Sequence, residues 1–426
     1  MVSIQMSDPC FRRATTVCFL LHAAICSFAS APLVSEVFSP EIKTVTLRNP
    51  DNFMAPPVIR LDSDDRLILS FDILGDSHDY LRYRLIHCNH DWQPSMLLES
   101  EYIDGFNEAT VDDYAYSTNT FTHYVNYRIT IPGSGLAPLT SGNYLLQVYP
   151  EENADSVLLQ QRFSVSENAV AINGMVTSNT DRGFNTEWQQ VALDIDFSGM
   201  ADIDPYRDLK VTVTQNNRQS TRRTITTPLR VEGNHAIFDH NKDLIFNAGN
   251  EYRRFETVKA DSPGMHVDSV AFSDGRREAF LTIDLPRADL PYAYDRTQQG
   301  RFMVDEYNST DPDLGADYVD VSFFLDMSRI EGYDVFVGGD LTGDIFDEHN
   351  RMVYDPRTGC YTLTLPLKQG SYNYQYLIRR INSAGPADPS PIEGDFHETG
   401  NEYLVEVFYS PPGTRADRLI GTSLLE

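Results

Sequence analysis

The stretch "YLRYRLIHCNHDW" (residues 80–92) alternates apolar and polar residues for nine positions and then breaks into Asn, His and Asp. In an extended chain successive side chains point to opposite faces. Tyr83, Leu85 and His87 therefore share one face, and Arg84, Ile86 and Cys88 share the other. A period of two followed by turn-forming residues predicts a half-buried strand ending in a turn. The same pattern recurs on both sides, in "RLILSFDIL" (66–74), "HYVNYRITI" (123–131), "NYLLQVY" (143–149) and "LLQQRFSV" (158–165). "PGSGLAP" and "TSGN" punctuate these runs, as expected of connections between strands. Regular strand spacing without helical periodicity predicts an immunoglobulin-like sandwich.

Two further series of strand signals follow. "EWQQVALDIDFS" (187–198), "DLKVTVTQN" (208–216), "HAIFDH" (235–240), "RRFETVKA" (253–260) and "REAFLTIDL" (277–285) form the second. The third starts at Val319 and includes "RMVYDPRTGCYTLTLPL", in which "DPRTGCY" (355–361) predicts a hairpin turn. The fold class expected is all-β, with three tandem immunoglobulin-like or early-set β-sandwich domains. Their expected bounds are 30–166, 167–312 and 313–426, after an N-terminal signal peptide at 1–29. Arg12 and Arg13 precede an apolar run from Ala14 to Phe28, and Ser27-Phe28-Ala29 has the small-residue pattern of a cleavage site.

Cys10, Cys18 and Cys26 would leave with that leader, so only Cys88 and Cys360 remain, far apart and in different expected domains. Such a pair is no disulfide framework. Lipidation at Cys26 is disfavoured by the bulky Ile25 before it. The formal net charge of −28 argues against nucleic acid and anionic lipid as partners. No stretch after the leader approaches the ~18 apolar residues of a membrane span.

Candidate chemistry is sparse. "HCNHDW" (87–92) resembles a metal or thiol site, but the strand turns His87 and Cys88 to opposite faces and no second Cys/His cluster exists. "DPDLGAD" (311–317) lacks the bidentate glutamate and flanking helices of a calcium loop. "GGDLTG" (338–343) lacks the phosphate-loop frame. No catalytic residue, metal site or cofactor is expected. The third series also looks like early-set sandwiches that bind glycans. Sugar binding there would need exposed stacking aromatics, and Tyr372, Tyr374 and Tyr376 alternate on a strand as core residues would.

Longer elements are more specific. His87, Cys88, Asp91 and Trp92 form H-C-x-x-D-W; Tyr102, Gly105 and Phe106 fall in E-Y-x-x-G-F; Ser117, Asn119, Thr120 and Tyr124 form S-x-N-T-x-x-x-Y. Near the C-terminus come Glu393-Gly394, Thr399, Asn401, Tyr403 and "DRLIG" (417–421). Together they resemble the plug proteins of the type IX secretion system of Bacteroidetes-type bacteria, over essentially the whole chain after the leader. "FYSPPGT" (408–414) departs from the pattern, which has an arginine after the aromatic pair.

The resemblance implies a non-enzymatic periplasmic protein under a giant outer-membrane β-barrel translocon, closing its inner mouth when no substrate is engaged. It implies no small-molecule substrate and no membrane span. The motif residues from His87 to Tyr124 are the expected partner surface. The rival expectation is a periplasmic or surface glycan-binding protein.

Overall fold

The computed structural model describes residues 32–259 and 261–426; the expected leader, with Cys10, Cys18 and Cys26, lies outside the described residues. Residues Pro32–Glu426 form one compact unit. It is built almost wholly of strands, and the α-helices among the described residues are single turns of four residues, such as Glu99–Tyr102. The all-β expectation holds.

The first sandwich follows the sequence closely. One sheet runs Glu36–Val37, Leu159–Ser166, Gly142–Pro150, Leu81–Cys88, Ala109–Thr110; the other runs Ile42–Arg48, Leu67–Leu74, Tyr124–Ile131, Asp113–Tyr116. Their inner faces bury Leu69, Phe71, Leu85, Tyr127, Tyr144, Leu146 and Phe163. Burial along Leu81–Cys88 alternates up to His87, as the period of two requires. A side ribbon pairs Ile103–Gly105 with Leu136–Pro138.

The other two sandwiches are nested rather than consecutive. The second pairs Leu209–Gln215 with Tyr403–Tyr409, which pairs in turn with Arg418–Leu425. The last strands of the chain thus complete a core begun near Val191, with Val211, Val213, Val405 and Val407 packed together. The third sandwich is inserted between them. Arg253–Glu256 pairs with Gly370–Arg380, and Arg276–Leu281 pairs in parallel with Tyr318–Asp326.

The expected boundary at 312/313 is therefore corrected: sheet pairing crosses it, and residues 403–425 belong to the preceding sandwich. The reason is physical. Alternation fixes which face of a strand is buried, not which strand lies beside it. "DPRTGCY" does form its hairpin, with Asp355 opposite Cys360. Tyr372, Tyr374 and Tyr376 are buried in the third core, so that strand offers no exposed stacking platform for a sugar.

Candidate functional site

Most of the motif residues from His87 to Trp92 and from Ser117 to Tyr124 gather at two joints, one on each side of the first sandwich. At the first, the turn after strand Leu81–Cys88 meets the second sandwich and the C-terminal "DRLIG". The His90 amide and ring Nδ1 lie 3.0 and 2.6 Å from the same Asp417 carboxylate oxygen. Asn89 returns the contact, its side-chain oxygen accepting the Asp417 amide at 3.1 Å. Arg222 donates to the His90 carbonyl at 2.7 Å and lies 3.3 Å from Glu406. Glu406 also accepts from Ser164 of the first sandwich at 3.0 Å and Thr212 of the second at 2.9 Å.

Trp92 sits inside this joint, 5% exposed, with φ of 62°. The Arg162 and Arg222 guanidinium carbons lie 4.3 and 5.9 Å from its ring centroid, within cation–π reach. Burial, reinforced by the neighbouring Arg222 charge, pulls Arg162 down to about 9. Burial pushes Asp417 upward, but hydrogen bonds from His90 and Ser410 outweigh it and hold the carboxyl well below its ordinary range. Asp91 is exposed and accepts the Gln93 amide at 3.1 Å, a turn contact.

Cys88 is buried against Trp92 and Leu145, and burial pushes its thiol up to about 12. A nucleophilic thiol needs the opposite environment. His87, on the other face, lies edge-on to Tyr144 and 3.1 Å from the Ser141 carbonyl. Gly142 makes room for it. A Cβ there would lie 2.3 Å from the imidazole Nε2, at a φ of 143°.

The second joint links the first sandwich to the third. The Tyr124 hydroxyl donates to the Ala316 carbonyl at 2.8 Å, and Lys368 lies 4.0 Å above its ring. Lys368 reaches Asp72 at 2.7 Å and the Asp313 carbonyl at 2.7 Å. Tyr318 donates to the same Asp72 oxygen at 2.8 Å, and Asn126 donates to the other at 2.8 Å. Burial pushes Asp72 up and Lys368 down, each against the pull of its partner.

Ser117 and Thr120 shape the adjoining loop. The Ser117 hydroxyl accepts the Tyr124 amide at 3.2 Å and the Thr120 hydroxyl at 3.0 Å. Asn119, exposed, turns the chain with φ of 60°. The amides of Phe121 and Thr122 then meet the two Asp317 oxygens, both at 3.0 Å. Arg128 faces Asp313 and Asp311 at 3.0 and 3.4 Å. The three aspartates of "DPDLGAD" are thus all engaged in holding the first and third sandwiches together.

E-Y-x-x-G-F builds the side ribbon. Tyr102 is buried and its carbonyl accepts from Leu139 at 2.9 Å. Gly105 has φ of 96°, and a Cβ on it would lie 2.1 Å from the Gly135 carbonyl oxygen. Phe106 follows and is 85% exposed. The C-terminal residues act alike within and between the nested sandwiches. Glu393 is buried against Arg253 and Arg287 at 3.0 and 2.7 Å, and Asn401 donates to Gln189 at 2.9 Å.

Sequence reasoning quoted both sides of some of these contacts without pairing them, and only one side of the others. It missed the buried charges Asp72, Arg162, Arg222, Lys368 and Glu406. The available signal was a charge at an inward position of an apolar run, as Asp72 is in "RLILSFDIL". Of the expected partner surface, His87, Trp92, Tyr102 and Tyr124 are buried within the fold, while Asp91, Gly105, Phe106 and Asn119 are exposed.

Residues 42–167 match the type 9 secretion system plug protein 1st domain. A hypothetical protein from Parabacteroides merdae ATCC 43184, known from its crystal structure, is 37% identical, with a TM-score of 0.90 over 92% of this chain and 99% of its own. The chain belongs to the type IX secretion system plug protein family. Membership places it with the components of a secretion apparatus, not with a known enzyme family, and implies a periplasmic or envelope-associated position.

No curated protein matches this family member in sequence. A fragment of native alpha-2-macroglobulin from Escherichia coli spanning domains NIE-MG1 is 12% identical, with a TM-score of 0.19 over 48% of this chain and 97% of its own. That likeness bears on neither fold nor function. Among the described residues, no helix is long and apolar enough to cross a membrane.

Proposed function

We propose that the protein is a non-enzymatic periplasmic plug that docks at the periplasmic mouth of the giant outer-membrane β-barrel translocon of the type IX secretion system and closes it when idle. The observation that supports this most is the family match over residues 42–167, in the sandwich where the two joints meet. A stopper must resist deformation, and both joints consist of buried charges and aromatics with fixed partners. A joint between sandwiches that loses none of its hydrogen bonds cannot hinge cheaply.

Docking falls to the exposed motif residues Asp91, Gly105, Phe106 and Asn119, whereas His87, Trp92, Tyr102, Ser117, Thr120 and Tyr124 set the frame that presents them. Phe106 is the anchor in this reading, because a scaffolded, solvent-facing phenyl ring suits the centre of a protein interface. Affinity purification of the tagged protein from envelope extract tests the proposal. Recovery of a giant outer-membrane barrel is expected, and its absence under conditions that keep the envelope complexes intact would overturn the plug reading.

A further inference from the structure

The strand Asp113–Tyr116 is the last of its sheet. It pairs with Tyr124–Ile131 on one side and with no other strand among the described residues on the other. An open edge presents unpaired main-chain donors and acceptors, which an incoming extended segment can satisfy. This edge also carries an aromatic platform. His78 stacks on Tyr114 with ring centroids 4.5 Å apart and meets Tyr80 edge-on at 5.0 Å. Its Nδ1 lies 3.1 Å from the Tyr116 hydroxyl, and Tyr116 in turn is edge-on to Tyr114 at 6.3 Å.

The platform is held from below and open above. Tyr114 rests against the buried Tyr127 at 5.9 Å, while Tyr80 is 69% and Tyr116 46% exposed. Core packing does not explain two tyrosines left this open beside an unpaired edge. Charge decides what would cover them. Asp79 and Asp112 are exposed on the same segments, and neither carboxylate has an ion-pair partner among the described residues, whereas Asp113 points to the other face, opposite Arg128. Tyrosine faces beside carboxylates attract Lys and Arg side chains by cation–π and Coulomb terms together.

We propose that this edge binds an extended polypeptide segment bearing Lys or Arg, its main chain added to Asp113–Tyr116 and its cationic side chains laid on Tyr80 and Tyr116. The site is independent of the docking surface around Phe106 and needs no barrel. A second copy pairing edge to edge would bring like-charged aspartates together, which costs energy. A sugar would use the tyrosine faces but leave the strand edge unpaired.

The test is fluorescence anisotropy with the full chain after its leader and a labelled decapeptide of alternating Arg and Val, with alternating Glu and Val as comparison. Saturable binding of the Arg peptide that weakens with salt is expected. Tyr80→Ala combined with Tyr116→Ala removes no charge and should weaken binding about tenfold. The amides of residues 113–116 should gain exchange protection when the peptide is bound. Asp79→Asn with Asp112→Asn gives a second reading should the tyrosine pair fail to fold. Unchanged affinity in the folded variants would mean only a general attraction to an acidic chain and would overturn the proposal. So would equal binding of the Glu peptide, protection elsewhere, a self-associated dimer, or displacement by soluble glucan.

Discussion

The two joints of the first sandwich use the same parts in opposite electrostatic states. At the Trp92 joint the key carboxylate, Asp417, is held ionised by donors from His90 and Ser410. At the Tyr124 joint the carboxylate, Asp72, is so buried that desolvation outweighs Lys368, and the pair is held by geometry as much as by charge. The lesson is that one sandwich is fixed to its two neighbours by contacts that should fail under different conditions. Acid acts on the first and loss of a partner side chain acts on the second.

The largest expected effect comes from breaking the second joint. Lys368→Ala leaves Asp72 buried without its cation and should cost about 3–5 kcal/mol in denaturant unfolding. Lys368→Met with Asp72→Asn should recover most of that loss, since no lone charge then remains. Trp92→Ala at the first joint should cost about 3 kcal/mol by removing a large buried ring from between two sandwiches. Trp92→Phe keeps an aromatic face toward Arg162 and Arg222 and should cost less; equal costs would show that a ring face alone does not carry that contact.

Acidification separates the joints without mutation. Asp417 has a folded-state pKa well below its unfolded value, so its contribution is fully present above the ordinary carboxylate range near pH ~4 and is lost only as pH falls from there toward its depressed folded-state pKa. Asp72 has the opposite sign: its folded-state pKa is raised, so its contribution grows as pH falls through that raised value and is complete by the ordinary carboxylate range. As pH falls below ~4, amide protection should therefore be lost first around His90 and residues 414–418. An earlier loss around Tyr124 and residues 313–318 would reverse the comparison.

Smaller effects bear on what the motifs are for. Cys88→Ser places a hydroxyl in an apolar pocket and should cost about 1–2 kcal/mol while leaving barrel recovery intact. Phe106→Ala should change stability by no more than about 0.5 kcal/mol, because the ring touches mostly solvent, yet reduce barrel recovery. The reverse pattern, stability lost and recovery kept, would move docking away from the side ribbon.

Much of the first sandwich was legible. Strands expected at 66–74, 80–88, 123–131, 143–149 and 158–165 appear within a residue or two of those bounds, because each buries one face and its period is visible locally. "HCNHDW" was legible as a strand end with Cys88 and His87 on opposite faces. It was not legible as a joint, since Asp417 and Arg222, its partners, lie far away in the chain. The nesting of the third sandwich inside the second was hidden for the same reason: "YLVEVFY" (403–409) has the same alternation whichever neighbour it joins.

The sequence by itself determined the all-β character, the strand positions and the secretion-system family. Those follow from local periodicity, residue type and motif order, which the chain carries in one dimension. Only the tertiary structure decided which strands share a sheet, which buried charges meet across the joints, and which motif residues remain exposed. Each of those depends on pairings between residues hundreds of positions apart, and the energy that selects them arises only when both sides leave water together.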